Sequence, residues 1–233
     1  MSANFRLLVF DWDGTLMDSV RSIIECTRRA MLDAGLEPRE ESVIRKAIGM
    51  GLWDSFVMFY PGIAPETYEL VVDRYRYHWL AEYKDHSELF PGVRQALGDL
   101  ARRGFLLGVA TAKSRRGLDR DLAKTGLAEL VHASRTVDEA PPKPHPGMLL
   151  GLMDELGAAA GDTLMIGDTT YDLDMARNAG ARAVGVLSGS HREEDLRASA
   201  PLDCLDHVAL LPEWLTLRAA HPAVPALRKE DRR

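Results

Sequence analysis

The sequence predicts an α/β protein: a doubly wound parallel sheet with an all-helical insert after its first strand. Three observations predict it. An apolar run, Leu7-Leu8-Val9-Phe10, suits a strand buried on both faces and stops abruptly at Asp11 and Asp13. From Met17 to Glu88 the apolar residues recur at helical spacing. From Leu89 onward helix and strand patterns alternate, which calls for crossover connections and hence parallel strands with helices on both faces.

Taken in order, Asp18 or Ser19 can cap the first helix, whose inner face is Val20, Ile23, Ile24, Thr27 and Met31 and which ends at Gly35 before Pro38. A second, short helix covers Glu41 to Ile48. Gly49-Met50-Gly51 breaks the chain, Leu52 to Tyr60 resumes a helix rich in aromatics, and Pro61-Gly62 stops it. Pro65 opens a fourth helix with Tyr68, Val71, Val72, Tyr75 and Trp79 at helical spacing, read as the core of a bundle. Pro91-Gly92 then opens a helix carrying Val93, Ala96, Leu97 and Leu100, closed by Gly104. Phe105 to Ala110 is a buried strand ending at Thr111, Ser114 to Thr125 a helix ended by Gly126, and Leu130 to Ser134 a short third strand. The loop Pro141-Pro142-Lys143-Pro144 leads into a helix bearing Met148, Leu149, Leu152, Met153 and Leu156. Thr163 to Ile166 is the fourth strand and runs into Gly167-Asp168-Thr169-Thr170-Tyr171-Asp172; a short helix to Ala179-Gly180 and a fifth strand, Arg182 to Leu187, complete the pattern. The expected organisation is a core of residues 1–16 and 89–217, a helical unit of residues 17–88, and a polar, poorly ordered tail of residues 218–233.

A chain of 233 residues can bury a sizeable core. Its net charge of -6, from 29 basic against 35 acidic residues, comes without a long basic stripe and argues against nucleic acid as a partner. Cys26 and Cys204 lie far apart with no CxxC, which suits a reducing compartment and makes the cytoplasm the expected location. The first apolar run is broken by Asp11 and no stretch approaches the ~18 apolar residues of a membrane span, so neither an export signal nor a membrane span is expected. A soluble monomer or homodimer is expected.

In an open parallel sheet the ligand lies beyond the carboxyl ends of the strands. Four sets of residues fall there: Asp11 with Asp13, Thr111, Lys143, and Asp168 with Asp172. Singly, each has an ordinary reading as a turn carboxylate, a last strand residue, a solvated cation or a helix cap. Jointly they make a phosphoryl-transfer site. Two ionised carboxylates at the end of a buried strand cost on the order of several kcal/mol each unless something binds them. Mg²⁺ takes oxygen ligands, here the carboxylates of Asp11 and Asp168 and the backbone carbonyl of Asp13. Lys143, the Thr111 hydroxyl and the backbone N–H groups after Asp13 and Thr111, at Gly14 and Ala112, would offset charge on the phosphoryl oxygens. Asp11 is then the nucleophile, while Asp13 protonates the leaving oxygen and later takes a proton from water.

On these residues the chain resembles phosphatases of the haloacid dehalogenase superfamily, whose four motifs match Asp11-Trp12-Asp13-Gly14-Thr15, Thr111-Ala112-Lys113, Lys143-Pro144 and Gly167 to Asp172. It is most similar to phosphoglycolate phosphatase-like proteins, through D-x-D-G-T-L-x-D-S at Asp11 to Ser19 and the run Ala110 to Gly117. The resemblance implies a Rossmann-like core of sheet order 3-2-1-4-5, with Asp11 on the central strand between the strands carrying Thr111 and Asp168. It implies a small phosphorylated substrate, plausibly 2-phosphoglycolate, and a helical cap closing over the site on hinges near Leu16 and Glu88 to Pro91. Ala112 departs from the Asn or Gly common in relatives, which costs nothing where only its N–H is used. Asp13 sets the chain apart from the dehalogenase branch, which lacks that acid. Substrate choice would rest with Arg45, Lys46, Gly49 and Gly51 of the cap, unless the two cations are a solvated helix face and the glycines a turn between helices. Three other reactions fit part of the pattern: a phosphomutase, a carbon–phosphorus hydrolase using Lys46 or Lys84 as a Schiff base, and a phospho-acceptor signalling domain.

Overall fold

The computed structural model describes residues 5–83 and 88–220. Strand β1 (Leu7–Phe10) is followed by β2 (Met17–Asp18) and four helices, α1 (Val20–Asp33), α2 (Glu41–Ala47), α3 (Leu52–Phe59) and α4 (Pro65–His78). α4 runs on into a π-helical turn at Trp79–Tyr83. Then come β3 (Glu88–Leu89), α5 (Val93–Arg102), β4 (Leu106–Thr111), α6 (Arg115–Thr125), β5 (Ala133–Thr136) and α7 (Gly147–Glu155). The chain closes with β6 (Thr163–Gly167), α8 (Thr170–Asn178), β7 (Arg182–Val186), α9 (Glu193–Ala198), β8 (Cys204–Leu205) and α10 (Leu211–Ala220).

The main sheet has the order β5-β4-β1-β6-β7-β8, all parallel. Its first five strands reproduce the expected 3-2-1-4-5 order, and β8 adds a sixth at the edge. β1 sits at the centre, Leu7 to Phe10 pairing with Leu106 to Val109 on one side and Thr163 to Ile166 on the other. Because side chains alternate along a strand, Leu8 and Phe10 enter a cluster with α5, α6 and α10, whereas Leu7 and Val9 enter one with α7, α8 and α9. A strand buried on both faces has no polar position, so its first carboxylate marks where it leaves the sheet. Asp11 is that residue.

The helical unit has its own core, in which Ile24 and Met31 of α1, Ile44 of α2, Phe56 and Phe59 of α3 and Val71 of α4 are buried. Each such side chain contributes roughly 1.5–3 kcal/mol. The two crossings between this unit and the sheet are stitched by an antiparallel pair, Met17 with Leu89 and Asp18 with Glu88. No local pattern announced that ribbon, because its halves lie some seventy residues apart.

The third strand lies at Ala133–Thr136, later than the expected Leu130 to Ser134. Leu130 and Val131 are spent on the turn after α6, where the Leu130 N–H donates to the Leu127 carbonyl at 2.9 Å and both side chains pack on the core. An edge strand needs only backbone pairing on one side, so Ser134-Arg135-Thr136 serves. α10 extends through Arg218 to Ala220, the first residues of the expected polar tail, and Arg218 lies over the Trp214 ring at 5.3 Å; residues 221–233 and Lys84 lie outside the described residues.

Candidate active site

The carboxyl ends of β1 and β6 bring Asp11 and Asp168 together, and the first turn of α8 adds Asp172. One carboxylate oxygen from each lies within 4.8 Å of the others, and all three residues are buried. Into this cluster the loop before α7 drives Lys143, whose Nζ donates to Asp11 Oδ1 at 2.5 Å and to Asp172 Oδ1 at 2.6 Å. Asp172 is held from its other oxygen by the N–H and hydroxyl of Thr169, at 3.1 and 2.6 Å, in a reciprocal capping box. The helix cap and the ion pair are thus one side chain. Asp168 accepts from the Thr15 hydroxyl on one oxygen and the Ser190 N–H on the other, both at 2.8 Å.

Two glycines make room for Asp168. Gly14 has φ +88° and a Cβ there would lie 2.5 Å from Asp168 Oδ2; a Cβ on Gly189 would overlap the same carboxylate. The Gly14 N–H, expected to face a phosphoryl oxygen, instead donates to the Met17 carbonyl at 2.8 Å. Gly14 contributes space here, because the turn after β1 consumes its donor. Thr111 ends β4 with its hydroxyl accepting from the Lys113 N–H at 3.2 Å, and Ala112 lies between them.

The Asp13 side chain turns away from the three-carboxylate cluster. Its Oδ1 accepts from Ser19 Oγ at 2.6 Å and from Lys113 Nζ at 3.0 Å, and its Oδ2 from Lys113 Nζ at 3.1 Å. Ser19 stands at the N-cap of α1 but makes no side-chain cap bond, since its hydroxyl is committed to Asp13.

Of the cap residues, Arg45 pairs with Glu41 at 2.8 Å on an exposed face of α2, and the Lys46 side chain is exposed. The solvated-face reading describes both. The glycine loop does reach the core: a Cβ on Gly49 would lie 3.0 Å from Thr169 Oγ1, and one on Gly51 3.1 Å from the Pro142 Cβ. The main chain of Lys46 also docks there, its carbonyl accepting from Tyr171 OH at 3.0 Å and from His191 Nε2 at 3.2 Å. His191 Nδ1 accepts from the Thr170 N–H, so its proton sits on Nε2, and burial lowers its pKa further toward the neutral ring. Losing one such bond costs about 1 kcal/mol. Tyr171→Phe is therefore expected to raise KM about fivefold with kcat nearly unchanged, by reducing the population of the docked cap, as steady-state kinetics will show.

Burial holds the Asp11 carboxyl well above the usual carboxylate range, against the attraction of Lys143, and Asp172 and Asp168 push it the same way. Asp168 is raised from 3.8 to about 6, first by burial and then by Asp172. Burial alone would lower Lys143, but Asp11 and Asp172 outweigh it and keep the ammonium charged. Three carboxylates against one ammonium leave an excess of negative charge on hard oxygen donors, and that donor set fits a divalent cation such as Mg²⁺. Because the folded pKa of Asp168 is raised, metal-free stability falls as pH rises from about 4 through about 6. Added Mg²⁺ is accordingly expected to raise the melting temperature most above pH 7 and progressively less through pH 6 to pH 5, where protons hold the site; differential scanning fluorimetry reads this directly.

The sequence reading missed Thr15, Ser19, Lys113 and Ser190 as working side chains, along with the Tyr171 and His191 docking pair. Apart from Ser19 and Tyr171, the latter in the first turn of α8, all lie in the loops that follow the carboxyl ends of strands, which is the signal that could have found them.

The family model for haloacid dehalogenase-like hydrolases matches residues 8–186. "Probable phosphatase IndB" of Dickeya dadantii is 35% identical over 207 residues, covering 86% of this chain and 89% of that protein. The phosphoglycolate phosphatase of Rhodospirillum rubrum is 29% identical over 219 residues, covering 90% of each. Among solved structures, one described as a predicted phosphatase from Clostridium acetobutylicum superposes with a TM-score of 0.82 at 25% identity, covering 91% of this chain and 99% of that one. With a buried carboxylate at the carboxyl end of the central strand, a lysine pinned beside it and a family match over residues 8–186, the chain belongs to the haloacid dehalogenase-like hydrolases.

Proposed function

We propose that this chain is a Mg²⁺-dependent phosphatase of small phosphorylated metabolites, with 2-phosphoglycolate the first candidate, working through an aspartyl phosphate on Asp11. One observation carries the reading: the Lys143 ammonium bridges Asp11 and Asp172 beside Asp168 in a buried pocket of charge where two neighbouring parallel strands end. Asp11, Asp168 and the Asp13 carbonyl would hold the Mg²⁺, which would supply charge neutralisation at the phosphoryl group. Lys143, the Thr111 hydroxyl and the Ala112 N–H take up the remaining phosphoryl charge. Asp11 attacks phosphorus, an Asp11 carboxylate oxygen bonding to it as the bond to the leaving oxygen breaks and Asp13 protonates that oxygen. Asp13 then takes a proton from the water that attacks the aspartyl phosphate, releasing phosphate and restoring Asp11. Relatives named phosphoglycolate phosphatase at 29% and 30% identity over nine-tenths of this chain support that substrate.

Phosphate release from 2-phosphoglycolate, sugar phosphates, nucleotides and pyrophosphate, with and without Mg²⁺, tests the reading. Turnover of 2-phosphoglycolate with a kcat/KM far above the others is expected. A stable aspartyl phosphate without multiple turnovers would replace it with the signalling reading, and phosphoryl migration within a sugar phosphate with the mutase reading.

A further inference from the structure

We propose that Lys113 is the positioning residue for the Asp13 carboxylate, fixing its direction for proton delivery to the leaving oxygen and passing the docked state of the helical cap to it through Trp79. The proposal rests on the acid/base reading of Asp13 above and adds to it a group outside the nucleophile cluster. A single ammonium contacts both Asp13 oxygens, at 3.0 and 3.1 Å, which restrains the carboxylate plane as a one-point contact cannot. The ammonium is itself anchored from behind: Asp121 Oδ2 of α6 lies 3.2 Å away, and Asp121 Oδ1 is tied to Arg120 at 3.2 Å. Lys113, Asp13 and Asp121 are all largely buried, with side-chain exposures of 11%, 16% and 6%. A pair shielded to that degree keeps a defined geometry where an exposed one would not.

Two cap elements touch this unit. The Ser19 hydroxyl, at the start of α1, donates to Asp13 Oδ1 at 2.6 Å. From the far end of the cap, the Trp79 ring covers Lys113 Nζ at 4.9 Å, with Tyr75 stacked behind it at 6.4 Å. Cap displacement would remove the aromatic cover from the ammonium and the hydroxyl from the carboxylate together. Lys113 does not face the phosphoryl cluster, where Lys143 already fills the cationic position. Its effect is therefore confined to the steps in which Asp13 moves a proton.

That confinement gives the test. In forming the aspartyl phosphate, an alkyl leaving group needs the proton and p-nitrophenolate does not, whereas hydrolysis of the intermediate needs Asp13 as base with either substrate. Lys113→Met is expected to lose about 10²-fold in kcat on the best alkyl monoester of the panel. With p-nitrophenyl phosphate it is expected to give a rapid burst of one equivalent of p-nitrophenolate followed by slow turnover. Lys113→Arg should restore part of the alkyl ester activity. Because Lys113→Met leaves Asp13 without its cation and Asp121 with Arg120 alone, the double variant Lys113→Met with Asp121→Asn, carrying one negative charge fewer, is measured alongside, with tungstate binding in Mg²⁺ as the check that the phosphoryl site is intact. Equal losses on both substrates without a burst, in either variant that retains tungstate binding, would overturn the role of Lys113. Asp13→Asn separates the two levels: if it shows neither burst nor leaving-group dependence, the acid/base reading of Asp13 itself is wrong.

Discussion

Asp11→Asn is expected to lower Mg²⁺-dependent phosphate release by at least about 10⁴-fold, since it removes the nucleophile and one charge of the cation site in a single atom exchange. The fold has no reason to suffer. Asn keeps an oxygen acceptor for Lys143 Nζ and nearly the same volume in a buried position. In the parent, burial and the neighbouring Asp172 and Asp168 all oppose ionisation of Asp11, with only Lys143 favouring it. Deleting that charge relieves like-charge repulsion, so the metal-free variant should melt at or above the parent temperature near neutral pH. Phosphate release and calorimetry on the same preparation check both halves. Parent-like turnover would remove Asp11 from the chemistry, and a large drop in melting temperature with lost activity would reduce its role to folding.

Lys143→Met should be damaging in both respects. The ammonium is wholly enclosed and bridges two carboxylates at 2.5 and 2.6 Å, so its removal leaves Asp11, Asp168 and Asp172 with no cationic side chain bonded to them among the described residues. Breaking a buried pair from one side costs about 3–5 kcal/mol. The loss has a pH signature. Without Lys143 the carboxyl pKa values move further up, from Asp168 already at about 6 and Asp11 already well raised by burial. Folded-state carboxyls with raised pKa bind more protons than the unfolded chain, so stability declines as pH rises through that range and recovers below it. The variant's deficit against the parent is thus expected to be largest at pH 7–8 and to shrink toward pH 5, as denaturant melts at both pH values will show. A pH-independent deficit would mean that Lys143 matters through packing alone. Activity should fall by about 10²–10³-fold, the range for removing one charge-stabilising group.

The local grammar of the chain was enough for the architecture. A strand buried on both faces must be continuously apolar, and helices amphipathic on one side must alternate with such strands to bury it; Leu7 to Phe10 and the helices from Val93 onward obey those rules residue by residue. The positions of Asp11, Thr111, Lys143 and Asp168 could be read for the same reason, since polar residues interrupt buried strands only where they end or in the loops beyond. What tertiary structure alone decided is which polar group meets which. Asp172 reads in sequence as a helix cap and is one, yet its second oxygen takes Lys143 from 29 positions away. Asp13 reads as a partner of Asp11 two residues before it, but the turn after β1 points it instead to Ser19 and Lys113. Arg45 and Lys46 carry the charges that suggested substrate contact, while it is the Lys46 carbonyl that docks on the core. Burial on a strand or helix face follows from spacing along the chain. Side-chain direction in turns, and pairing between segments a hundred residues apart, follow from packing that no local pattern contains.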